Sequence, residues 1–136
     1  MRTAPNNSES TINSRDIIER IKELEAERDS CMMIREDGGE EADPQGWEDQ
    51  NPEEAAELAA LSKLAEDGEG AADWTYGEIL IRDDYFTEYV REMLEDCGEI
   101  PRDLPHYIAI DWHKTADNVR PDYFPVDFDG VTYWVR

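Results

Sequence analysis

Cations are what this chain has least of. Its 136 residues include 13 Lys and Arg against 35 Asp and Glu, a formal net charge of −22. So few and so scattered basic residues exclude a nucleic-acid backbone or an anionic membrane surface as a direct ligand. Cysteine is nearly as scarce. Cys31 and Cys97 make no disulfide framework and have no zinc-ligand spacing. No apolar run approaches the ~20 residues of a membrane span. The polar stretch from Met1 to Ser14 has no apolar core of a signal peptide. Together these absences predict a soluble, cytoplasmic protein. There is no glycine-rich phosphate loop either, and Ser62 has no nearby histidine.

Candidate catalytic and metal groups are equally thin. Cys97, His106 and His113 fall on a predicted helix end, a loop and a second helix, with none of the close spacing a zinc site needs. His113, beside Asp111 and Trp112, reads as a helix-surface residue. Cys97 lies at the C-terminal, negative end of a predicted helix, which disfavours a reactive thiolate. With 35 carboxylates, chance acid pairs are guaranteed and carry no information about catalysis. The segment Val126–Gly130 lacks the acid positions and the bidentate Glu of a calcium loop. The chain is expected not to be an enzyme and to need no metal or cofactor.

What is present is acid, unevenly placed. Residues 37–96 hold 20 Asp and Glu against Lys63, Arg82 and Arg91, a net of −17; the segments before and after carry −2 and −3. A chain of this length folds to a radius of gyration of roughly 14 Å, a body about 37 Å across. Duplex DNA carries roughly 22 phosphate charges over the same axial length. Such a surface costs stability by self-repulsion and draws basic partners.

Aromatic content (four Trp, six Tyr, three Phe) supports a folded core. The sequence predicts an α+β protein: a disordered tail over 1–13, a helical hairpin with an acidic loop over 14–68, and an α+β unit over 69–136 with a small antiparallel sheet. The first helix is predicted over 15–35, capped by Asn13 or Ser14, with Ile17, Ile21, Leu24 and Cys31 as its apolar seam. Residues 37–50, with Gly38, Gly39, Pro44 and Gly46, read as loop. A second helix opens at Asn51-Pro52, buries Leu58, Leu61 and Leu64, and stops near Gly68. Residues 68–77 form another loop whose Trp74 and Tyr76 are expected to fold back on the core.

The third helix carries Phe86, Tyr89, Val90, Met93, Leu94 and Cys97 as an apolar stripe and stops at Gly98. Asp84, Glu88, Glu92 and Asp96 follow one another at i, i+4, about 6 Å apart. Each like-charge pair costs a few tenths of a kcal/mol, so fold stability alone does not favour the row. Tyr107–Ile110 is predicted as a short strand, Asp111 as the cap of a helix to about Asn118, and Tyr123–Phe128 with Val131–Val135 as a hairpin. Asp129-Gly130 supplies its type I′ turn, and Pro125 marks an edge strand.

The candidate surface for a partner is therefore Glu53, Glu57, Glu66, Asp67, Glu69, Asp73, Glu78, Asp84, Glu88, Glu92, Glu95 and Asp96. Trp47 and Trp74 are either anchors at its rim or core residues. Three stretches resemble small acidic proteins of bacteriophages and prophages: Ile17–Leu24, Leu80–Phe86, and Ile110-Asp111-Trp112 with Asp122-Tyr123 and Val126–Arg136. Over roughly the last 55 residues the pattern is similar to the C-terminal part of ArdA-type antirestriction proteins. That resemblance implies a mimic of duplex DNA, directed at a basic DNA-binding host complex such as a restriction enzyme or CRISPR effector. The first half departs from that family. The competing readings are acidity for solubility alone, and an adaptor forming a homodimer through its helical hairpin.

Overall fold

The computed structural model describes residues 4–136 and is α+β, as the sequence pattern predicts. In chain order the elements are β1 (Thr11–Asn13), α1 (Ser14–Ser30), β2 (Met32–Ile34), β3 (Glu40–Ala42), α2 (Pro44–Gln50), α3 (Pro52–Gly68) and β4 (Ile79–Arg82). A 3-10 turn at Asp83–Tyr85 leads into α4 (Phe86–Asp96). After a long connection come α5 (Trp112–Val119), a 3-10 turn at Arg120–Asp122, β5 (Phe124–Phe128) and β6 (Val131–Val135).

A four-stranded antiparallel sheet, in the order β1-β4-β6-β5, organises the molecule. Its closing hairpin forms as expected. Asp129 (φ 50°) and Gly130 (φ 86°) take the two left-handed positions of the turn, and Pro125 lies on the edge strand β5. The run Ile79-Leu80-Ile81 alternates across the sheet, and both faces are covered. On one face Leu80, Val126, Phe128, Tyr133 and Val135 pack with Ile17 and Leu24 of α1 and Leu58, Leu61 and Leu64 of α3. On the other, Ile79, Ile81 and Trp134 pack with Phe86 and Val90 of α4 and Ala116 of α5. The result is a sheet between two helical layers.

Several local expectations are corrected. Residues 37–50 are not simply loop: β3 lies there, and so does α2, whose cap Asp43 accepts from the Gly46 amide at 3.0 Å with Pro44 in the first turn. The first helix stops at Ser30, short of 35, because residues 32–34 pair with 40–42. That turn closes through the Arg35 amide on the Gly39 carbonyl (2.7 Å), with Gly38 at φ 86°. Asn51 stands at the start of α3 but makes no capping bond; its amide donates to the Trp47 carbonyl at 2.9 Å. Tyr107–Ile110 forms no strand: it joins neither sheet, and Tyr107 and Ile108 are exposed.

The expected tail also behaves differently. Residues 1–3 lie outside the described residues, but β1 pairs with β4, Pro5 is buried, and the Tyr133 hydroxyl donates to the Glu9 carbonyl at 2.6 Å. Burial raises the Tyr133 pKa to about 12. Asn13 caps α1 by accepting from the Arg15 amide. Ser14 is wholly buried and ties α1 to the 74–78 loop. Its hydroxyl donates to the Trp74 carbonyl (2.6 Å) and accepts from the Glu78 amide (2.7 Å). Trp74 packs tightly on Gly68, where a Cβ would come within 2.4 Å of the ring.

Candidate functional site

The acidic row rests on the layer formed by α4 and α5. Phe86 and Val90 are fully buried against the sheet, so the opposite side of α4 faces outward. Spacing of three and four residues brings Glu88, Arg91, Glu92, Glu95 and Asp96 to that outer face, and all five are exposed. Phe86 is held edge-on by the Tyr123 ring at 5.2 Å, and Arg120 stacks over both Phe86 and Trp134. The helix therefore has a rigid aromatic seat.

The row is shorter on the helix than its spacing suggests. Asp84 precedes α4, in the 3-10 turn, and pairs with Arg82 at 2.9 Å. Its neighbour Asp83 accepts from the Trp134 indole at 2.8 Å, a tether that the sequence reading missed. Glu92 accepts from the Tyr85 hydroxyl at 3.0 Å, and that bond is the main cause of a raised Tyr85 pKa. Arg91 pairs with Glu95 at 3.1 Å and lies 5.8 Å from the centre of the Trp112 ring. Its own pKa is raised, first by Glu95 and then by the field of Glu95 and Glu88.

The other predicted residues scatter. Glu53 stands exposed in the first turn of α3 and, with Pro5, Phe128 and Asp129, lines a groove of about 380 Å³. Glu57 is part of the scaffold. Arg20 on α1 grips it with two hydrogen bonds of 2.8 Å, and the two side chains are only 25% and 26% exposed. That grip raises the Arg20 pKa well above its usual value. Glu66, Asp67, Glu69 and Asp73 are exposed around the end of α3 and the following turn. Glu78 is half-buried, its backbone joined to Ser14. The structure brings together Asp84, Glu88, Glu92, Glu95 and Asp96 along one element and its lead-in; the remaining seven belong to other surfaces.

Trp47 and Trp74 are not rim anchors, being 5% and 6% exposed. Tyr76, expected on the core, is 80% exposed instead. A cleft of about 500 Å³ opens beside the last turn of α4, between Glu95 and Asp96 and the residues Ile100, Leu104, Ile110 and Trp112. Asp111 caps α5 as predicted, accepting from the Lys114 amide at 3.1 Å. Among the described residues no three His, Cys, Asp or Glu side chains are grouped so as to hold a metal ion, and no helix is long and apolar enough to cross a membrane.

Fold and surface define an α+β protein with a carboxylate-rich outer helix on one side of a covered sheet. Compared with family models, curated proteins and solved structures, the chain has no significant match in any of the three.

Proposed function

We propose that the protein is a DNA mimic of phage or mobile-element origin. It inhibits a basic, DNA-binding host defence complex, a restriction enzyme or CRISPR effector, by occupying the groove meant for DNA. It works by occupancy, without catalysis or cofactor, inside the bacterial cytoplasm. The observation that carries this reading is the exposed face of α4, where Glu88, Glu92, Glu95 and Asp96 stand with Arg91 as the one cation on that helix. Buried Phe86 and Val90 hold the helix beneath these carboxylates on a fixed base, so at binding only the exposed side chains, and not the backbone that carries them, need ordering. Association with a basic groove is steered by the net charge and weakens with salt.

The adaptor reading needs Ile17, Ile21, Leu24, Leu58 and Leu61 free to pair between chains. All five pack within this chain's own core, which favours the mimic. The test is capture of partners from host lysate on the full chain, with DNA as competitor and a salt gradient, followed by the double variant Glu88→Lys/Glu92→Lys. A basic DNA-binding enzyme that DNA displaces, that salt releases, and that the double variant fails to hold is the expected result. Undiminished capture by that variant removes α4 as the site. A salt-resistant partner that does not bind DNA overturns the mimic.

A further inference from the structure

The β2–β3 hairpin is a separate two-stranded sheet, and both its outer edges are unpaired among the described residues. On β2 the side chains are apolar and open: Met32 is 55% exposed, Met33 42% and Ile34 76%. From Ser30 to Ile34 the chain carries no charge, within a sequence in which 35% of residues are charged.

The backbone pattern fixes what this edge can accept. The Cys31 carbonyl takes the Asp43 amide at 2.8 Å and the Arg35 amide reaches Gly39 at 2.7 Å, so positions 31, 33 and 35 bond toward β3. Alternation along a strand then turns the N–H and C=O of Met32 and Ile34 outward. An isolated pair of strands is marginally stable, and a free apolar edge is a template for one more strand.

We propose that two copies of this chain pair through β2, antiparallel about a two-fold axis at Met33, to make a continuous sheet ordered β3-β2-β2-β3. In that register Met32 of each copy exchanges both backbone hydrogen bonds with Ile34 of the other. Met33 meets its own counterpart in the close, non-hydrogen-bonded pairing. Within β2 itself every cross-strand pair, Met32 with Ile34 and Met33 with Met33, is apolar, so the edge is complementary to itself. The outer edge of β3, bearing Glu40 and Glu41, would set acid against acid. Charge also selects this place. Residues 28–36 contain Arg28 and Arg35 against Asp29 and Glu36, a neutral stretch in a chain of −22. The pairing brings Arg35 of each copy to Cys31 at the C-terminal end of the other's α1, beside Asp29, where the helix dipole favours a cation.

Sedimentation equilibrium of the full chain, over a dilution series at low and high salt, tests this. A species of twice the 15.7 kDa chain mass is expected, and its share should rise with salt, because screening weakens repulsion between two bodies of like charge. Capture of a basic partner responds to salt in the opposite direction, so the two assemblies are distinguishable. Ile34→Pro removes an outward N–H that β3 does not use; it should weaken the dimer about tenfold or more while circular dichroism and the melting curve of the monomer hold. Met33→Cys in a Cys31→Ser/Cys97→Ser background should oxidise to a cross-linked dimer, since strands paired this way bring the two Cα atoms to about 4.5 Å. Glu41→Cys in the same background should not. A chain monomeric at every salt and dilution, or a dimer that survives Ile34→Pro or leaves Met33→Cys uncross-linked, overturns the proposal.

Discussion

The two helical layers on either side of the sheet both carry acid, yet they use it differently. On the α1/α3 side Glu57 is half-buried and clasped by Arg20, a bidentate ion pair joining the two helices. On the α4/α5 side Glu88, Glu92 and Asp96 are exposed, while the apolar residues beneath them do the packing. Acid density marks neither layer as a binding surface. The distinction is whether a carboxylate clasps two elements of the fold together or stands exposed on the surface of one, and α4 presents Glu88, Glu92, Glu95 and Asp96 in the second way on one face.

The comparison is most easily broken in the core of the first layer. Leu61→Ala empties a fully buried position and should cost about 2–5 kcal/mol, read as a lower midpoint in urea with unchanged slope. A similar loss after Glu88→Gln would mean that the row is structural. Next in size, Ser14→Ala leaves the Trp74 carbonyl and the Glu78 amide without the hydroxyl that joins them. A loss of about 1–3 kcal/mol is expected, with faster amide exchange at Glu78.

Alkaline pH gives a third test. Burial holds the Tyr133 pKa at about 12, against 10.0 for the free side chain. Above pH 10 the unfolded chain releases this proton while the folded chain keeps it. Stability from this group is therefore complete below pH 10 and falls as pH rises toward 12, by on the order of 2 kcal/mol. Tyr133→Phe should remove that difference in denaturation curves taken across the window. The smallest effects draw the contrast between layers most sharply. Glu57→Gln should destabilise by about 1–2 kcal/mol through the lost grip of Arg20. Glu88→Gln, by relieving repulsion, should leave stability unchanged or raise it by a few tenths of a kcal/mol. Equal changes at the two positions would erase the distinction.

Local signals carried a good part of this architecture. Asp-Gly between β-formers specified the final hairpin, Asn13 and Asp111 their helix starts, and the stripes on α3 and α4 their buried faces. These features depend on neighbours a few residues apart, where spacing and backbone preference act directly. The apolar seam of α1 was legible as well, but not that it lies on the same sheet face as Tyr133 and Val135. Asp43-Pro44 is a helix start of the same kind, obscured by the glycines around it.

Other features had no local signature. Thr11–Asn13 is ordered because β4 offers an open edge and the core takes up Ile12, and a tripeptide with one apolar residue says nothing of a partner some 70 residues away. Trp47 on α2 and Trp74 in the turn after α3 became core residues because both segments fold onto the cluster that α1 and α3 help to build. Glu57 left the candidate surface only when Arg20, on another helix, came within 2.8 Å. The sequence by itself determined the charge, its concentration in the middle of the chain, and the periodicities that make the helices and the last hairpin. Tertiary structure alone decided which carboxylates are paired, which aromatics are buried and which strand edge stays open. Those properties depend on contacts between residues far apart in the chain, and no local preference encodes them.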